Sequence, residues 1–242
     1  KSSSEIHLHP TSGEKPNHGT GGLGLKLTAR DLELIRDVAL SHVLSRDQVI
    51  RIGYFTSISR ANRRLTALTE EGYLRIYDSP FAGQRLYWIG RQSLPYLSVD
   101  VQKLVGGRVG SPRFLRHSLA VTEVRLALLA QGATAWRYES ELWRKFKVQG
   151  VNYEVRPDGS VRNGQISTFI EVDMGNVSQS KFEAKIDAYK AIQKGSSVKF
   201  NLLIVAPTKA RLNKLSKGEA GALDISSSTF DELGITLPGA WS

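Results

Sequence analysis

The chain has 242 residues, enough to bury one sizeable core or two modest ones. Its 33 Lys and Arg against 23 Asp and Glu give a net charge of +10, which suits an anionic partner, nucleic acid first and an anionic membrane surface second. There is no cysteine, which excludes disulfides, thiolate zinc sites and cysteine nucleophiles. No stretch approaches the ~20 apolar residues of a membrane span, and no secretory signal is read at the amino end. The expected location is the cytoplasm.

Residues 1–25 are polar and Gly-rich and read as a disordered tail. Ile6-His7-Leu8-His9 has the His–hydrophobic–His spacing of metal-binding strands in single-strand nickases. Pro10 follows at once and no apolar strand surrounds it, so the tail reading is preferred. From Leu27 the pattern is helical, with Thr28 as N-cap and Leu32, Ile35, Val38, Ala39 and Val43 on one face. Ser45 caps a second short helix that ends near Gly53. Ser57 or Ser59 opens a third, with Leu65, Leu68 and Leu74 inward and Gly72 as its stop. Tyr73–Tyr77 and Arg85–Ile89 then flank a turn running from Ser79-Pro80 to Gly83, a β-hairpin. Three helices and a hairpin over 26–91 predict a winged helix-turn-helix with its third helix in the major groove. Arg60, Asn62, Arg63 and Arg64 there have the geometry for guanine and adenine edges. Arg75 and Arg85 on the wing would meet phosphate or the minor groove. Pairing of these arginines with Glu70 or Glu71, and dimerisation, are the alternative uses.

Residues 92–113 carry Gly106-Gly107, Gly110 and Pro112 and read as a linker. From Phe114 an apolar helical pattern containing Glu123 runs to near Gly132. Trp136 through Val148, with Glu139, reads as strand, followed by turn-linked strands, a helix, and a buried strand over 198–205 closed by Pro207. This predicts an α/β domain with a mixed sheet over 114–207. Beyond it, in a basic extension over 208–242, Lys209, Arg211, Lys214 and Lys217 form an acid-free helix. That helix is equally suited to tracking phosphates or to facing solvent.

The stretch from Val155 to Tyr189 carries the chemistry. Asp158 follows Pro157, Asn163-Gly164 is a hairpin signal, and Thr168–Asp173 has the content of a strand. Glu171 and Asp173 share a face by strand alternation, and a hairpin returns Asp158 beside Glu171. Three carboxylates, Asp158, Glu171 and Asp173, would then hold one Mg²⁺ or Mn²⁺, which polarises a phosphodiester and activates water. Lys181, Lys185 and Tyr189 follow at i, i+4 steps on one helix face, where a lysine would stabilise phosphate charge. Solvated strand ends and an amphipathic outer face are the plain alternative.

LTARDLELIRDVALSHVLSRDQV, HSLAVTEVRLAL, the W-x-Y-E step, RPDG, FIEVDMG and KFEAKIDAY occur in an order and spacing that resemble one family. The chain is similar, over about residues 26–206, to the replication-relaxation family of plasmid proteins, and within it to the MOBC class of conjugative relaxases. The resemblance implies a winged-helix region followed by a PD-(D/E)XK restriction-endonuclease-like domain. Asp158 matches the motif aspartate and Glu171 the acid of the (D/E)xK strand, but Asp173 stands where that motif has lysine. Lys185 is the candidate substitute, Lys181 the second, and Glu123 or Glu139 would match an extra acid. The implied protein is bacterial and plasmid-encoded. It binds the origin of transfer, nicks one strand, and works with other relaxosome proteins, a coupling protein and a type IV secretion channel. Either a metal-activated water or Tyr189, a phenol of pKa ~10, would be the nucleophile. The other readings are a noncatalytic replication initiator or regulator with a degenerate nuclease fold, and a dimeric nuclease making double-strand breaks.

Overall fold

A computed structural model describes residues 25–79, 83–105, 111–196, 199–215 and 223–237. The His7/His9 motif and Lys217 lie outside them. The amino-terminal unit consists of α1 (Ala29–Leu40), β1 (Leu44–Ser45), α2 (Arg46–Ile52), α3 (Ile58–Glu70), β2 (Leu74–Asp78) and β3 (Arg85–Ile89). Thr28 with Asp31, and Ser45 with Gln48, form capping boxes that satisfy the first N–H groups of α1 and α2, and Ser57 caps α3. The strands pair antiparallel in the order β1-β3-β2. Leu34, Val38, Val49, Phe55, Leu65 and Leu68 close the core beneath them. The three helices and the hairpin are therefore present. Leu74, expected on the third helix, instead opens β2, because α3 stops at Glu70. Leu32, expected on the inner face of α1, is exposed.

Residues 92–105 differ from the expected linker, while Gly106, Gly107 and Gly110 lie outside the described residues. A 3-10 helix spans Arg91–Tyr96 and α4 spans Val99–Val105. Leu97, Val101 and Val105, at i, i+4 steps, pack against Ile35 and Ala39 of α1. In the sequence this short apolar stripe is masked by the glycines that follow it.

The second unit comprises α5 (Pro112–Ala130), β4 (Thr134–Tyr138), α6 (Glu139–Leu142), β5 (Arg144–Val148), β6 (Val151–Val155), β7 (Gly159–Asn163), β8 (Ile166–Val172), α7 (Gln179–Gly195), β9 (Phe200–Ala206), α8 (Lys209–Leu215) and β10 (Asp224–Thr229). Five strands form one mixed sheet in the order β10-β9-β8-β7-β4. β9 runs parallel to both β8 and β10, and β7 antiparallel to both β8 and β4. α5 covers one face through Ala120 and Val124, against Val161, Ile170, Val172 and Val205. α7 and α8 cover the other through Phe182, Ile186, Tyr189 and Leu212, against Leu202 and Ile204. Covered on both sides, β9 reads as an apolar run broken only by Asn201.

Three details depart from the expected plan. The run from Trp136 to Val148 is broken by α6, where Glu141 accepts from the Tyr138 N–H at 2.9 Å, and β5 pairs with β6 as a separate ribbon. The β7–β8 loop is Gly164-Gln165, with Asn163 still paired to Ile166. Gly164 has φ 59, as the first loop position of a type II′ turn requires. Residues beyond 207 supply α8 and the edge strand β10 of the main sheet. Among the described residues no helix is long and apolar enough to cross a membrane.

A polar seam joins the units. Buried Asp37 of α1 accepts from Arg125 of α5 at 2.7 Å, from Tyr54 at 3.0 Å, and from the Tyr138 hydroxyl. Alongside, Glu123 of α5 accepts from Gln48 at 3.0 Å and Arg51 at 2.5 Å, both of α2.

Candidate functional site

The β7–β8 hairpin sets the site. Gly159 pairs with Ile170, and just ahead of it the Asp158 N–H donates to the Ile170 carbonyl at 2.9 Å. The Val172 N–H donates to Asp158 Oδ2 at 2.7 Å, so the carboxylate is held at the carboxyl end of β8. One residue back, Glu171 turns to the α7 face, where its Oε2 accepts from Lys185 and its Oε1 from the Tyr189 hydroxyl at 2.5 Å. Lys185 and Tyr189 stand one helical turn apart and therefore reach one carboxylate together.

Burial pushes Glu171 up, to about 7, and the Asp158 charge adds to this, while Lys185 counteracts it. Burial opposes the charge of Lys185 too, but Glu171 and Asp158 outweigh it and hold the ammonium above its ordinary value. Asp158 is held below the usual carboxylate range: burial works against ionisation, and His117, Lys185 and the Val172 N–H outweigh burial. Burial and the Glu171 charge push the Tyr189 phenol far up.

His117, on α5, received no role from the sequence. Its Nε2 lies 3.0 Å from the Val172 carbonyl and 3.5 Å from Asp158 Oδ2. Burial opposes its charge, yet Asp158 and that carbonyl raise it to about 9. The single histidine of α5, at the head of the HSLAVTEVRLAL stretch, was the available signal. Trp136 was also missed as a site residue. β4 carries a bulge between Thr134 and Arg137 with Ala135 at φ 52, and bulges re-aim side chains. The Trp136 ring lies so close over Gly159 that a Cβ there would come 2.4 Å from it. Hence the Gly of RPDG. Glu139 opens α6, pairs with Arg156 and stands 3.8 Å from His42. With His42, Phe114, His117, Trp136 and Asp158 it lines a cleft between the end of α1 and the sheet unit.

Other expected residues are placed elsewhere. Glu123 faces α2 in the seam and serves contact between the units. Asp173 shares the face of Glu171 but is drawn to α8. Its carboxylate is gripped by Arg211 through both oxygens, at 2.6 and 3.0 Å, and accepts the Gly175 N–H at 2.8 Å. Lys181 is exposed on the first turn of α7. Asp158, Glu171 and Lys185 come together; Asp173 is committed to its own partner. Among the described residues no group of three or more His, Cys, Asp or Glu side chains is arranged to hold a metal ion.

The family model described as replication-relaxation matches residues 35–201, more than half of the chain. The chain belongs to the replication-relaxation family. No curated protein matches it significantly. Among solved structures it is similar to the crystal structure of protein VC1899 from Vibrio cholerae, at 14% identity and a TM-score of 0.32, covering 84% of this chain and 47% of that one. The chain thus spans under half the length of that protein.

In this replication-relaxation protein the arginines of α3 divide in two. Arg60, Asn62 and Arg63 are exposed near its amino end. Arg64 is turned inward, giving 2.9 and 2.5 Å bonds to fully buried Asp31 and a 2.9 Å bond to the Lys26 carbonyl, so its guanidinium is committed to the fold. Arg75 lies 5.2 Å over the Trp88 ring and Arg85 stands 3.6 Å from Asp78, both exposed on the hairpin. Arg30, not singled out in the sequence, lines one groove with Arg60 and Arg63.

Proposed function

We propose that the chain is a plasmid mobilisation relaxase. Its amino-terminal unit, read as a winged helix, binds the origin of transfer, and its sheet unit, read as a PD-(D/E)XK-type nuclease, nicks one strand. The observation that carries this reading is the contact of Lys185 with Glu171 beside Asp158. It restores a carboxylate–carboxylate–lysine set although the motif lysine position holds Asp173. Asp158 and Glu171 are the ligands the chain offers a hard divalent ion, which accepts one or two carboxylates and completes its shell with phosphate and water. Mg²⁺ or Mn²⁺ bound there would supply Lewis-acid polarisation of the phosphodiester. Lys185 places a cation where phosphate charge develops, and His117 and the Val172 N–H orient Asp158. Water is the nucleophile in this reading: Tyr189 is 0% exposed and its phenol is pushed far from ionisation. A P–O bond forms to the water oxygen, the bond to one sugar oxygen breaks, and that oxygen leaves as a hydroxyl.

The test is nicking of supercoiled plasmid bearing the cognate origin, with Mg²⁺, Mn²⁺ or EDTA, then protease treatment and denaturing electrophoresis. Metal-dependent open circles with a protease-insensitive end are expected, lost in Asp158→Ala and Glu171→Ala with binding retained. Nicking that survives both substitutions removes the site assignment, and a protein-blocked end moves the nucleophile to a tyrosine. The second reading, a noncatalytic initiator or regulator, draws on the closure of Glu171 by Lys185 and Tyr189 and of Asp173 by Arg211. Binding without cleavage under every condition selects it.

A further inference from the structure

The β5–β6 ribbon packs against α7 and leads directly into the site, since Arg156 and Pro157 join β6 to Asp158. Its pairing places Phe146 opposite Tyr153 and Lys145 opposite Glu154. Phe146 and Tyr153 stack at 5.5 Å and pack on the core, which fixes the inner face of the ribbon. By strand alternation Trp143, Lys145 and Lys147 then occupy the outer face, with Glu154 and Arg156 across from them. The contacts agree: Trp143 Nε1 donates to Glu154 at 2.8 Å, and Lys145 and Arg156 lie 5.2 and 5.6 Å from the Trp143 ring. Trp143 is nonetheless 46% exposed, and Lys145, Lys147 and Arg156 are exposed as well.

The indole is therefore half open, with Lys145 and Arg156 over its ring and Lys147 further along the same face, and a base stacking on it would take the place of one of those two cations. Protein surfaces that hold single-stranded nucleic acid combine an aromatic platform for a base with cations along the backbone. We propose that the outer face of the β5–β6 ribbon seats single-stranded nucleic acid, with Trp143 stacking on an unpaired base and Lys145, Lys147 and Arg156 meeting flanking phosphates. A duplex keeps its bases stacked on one another and offers the indole no open face; the duplex belongs to the arginines of α3. Arg156 pairs with Glu139 on the rim of the cleft, so a strand on the ribbon runs toward Asp158. That direction of travel rests on the nicking reading, whereas the binding itself does not.

The test is fluorescence anisotropy of the full chain in EDTA, with a labelled 15-nucleotide oligothymidine and a mixed-sequence duplex of the same length. Trp143→Ala is expected to weaken single-strand binding about tenfold or more, and Trp143→Phe, which keeps a ring, by much less. Lys145→Ala with Lys147→Ala is expected to weaken it further and lower the salt slope by about 1.4. Duplex affinity stays within about twofold of wild type throughout. Unchanged single-strand binding in Trp143→Ala overturns the proposal. Equal losses on single strand and duplex overturn it as well, leaving a general cationic surface. Because no cleavage is read, a nicking failure with these losses intact removes the nuclease reading and leaves the seat standing.

Discussion

Glu171 is 2% exposed, and its charge is tolerable only because Lys185 and Tyr189 close on it. Lys185→Met leaves that carboxylate buried without a counter-charge. The carboxyl can then take up a proton, so we expect a loss of about 1–3 kcal/mol in denaturant unfolding and, on the proposed nicking function, loss of nicking. His117 binds its proton more tightly in the folded chain, with a pKa raised from 6.5 to about 9 by Asp158 despite opposing burial. Its contribution is therefore full below pH 6.5 and fades as pH rises through 9. With solvent screening this is of order 1 kcal/mol, or about 2–4 °C in the unfolding midpoint. His117→Asn is expected to flatten that fall. Strand parity and i, i+4 spacing put Glu171 on one strand face and Lys181, Lys185 and Tyr189 on one helix face, but it was the family resemblance that set Lys185 ahead of Lys181. The partner of Asp173 was not legible: Arg211 lies on α8, beyond the next strand, and no local spacing announces it.

At the scale of elements, α5 does two jobs on two faces. Its His117 touches Asp158, while its Glu123 and Arg125 bind the amino-terminal unit. Glu123→Ala strips Gln48 and Arg51 of an acceptor. We expect a destabilisation of about 1–3 kcal/mol, with the nicking rate of the folded protein within about twofold of wild type. A loss of nicking without a loss of stability would return Glu123 to the catalytic set. Capped helices and alternating strands were readable here from Thr28, Ser45, Ser57 and the Val155–Asp173 pattern, since those signals lie within a few residues of what they specify. The bulge that turns Trp136 over Gly159 was not readable, because β7 imposes it across the sheet. Nor was α4, whose stripe of Leu97, Val101 and Val105 acquires meaning only against α1.

For the whole molecule, a net charge of +10 makes the proposed DNA binding a salt-dependent quantity. Arg60→Ala and Arg63→Ala are each expected to lower the duplex salt slope by about 0.9 if the side chain meets a phosphate. Arg64→Ala is expected to act differently. It strands buried Asp31, so it lowers the unfolding midpoint before it changes the slope. The seam between the units sets a further condition. An amino-terminal unit grafted from a relative onto this sheet unit inherits the needs of Arg125, Tyr138 and Glu123, and meets them only if it brings counterparts of Asp37, Gln48 and Arg51. A graft chosen for its third helix alone leaves those groups buried and unanswered. The specificity of such a chimera is inherited through the back of the module as much as through its front.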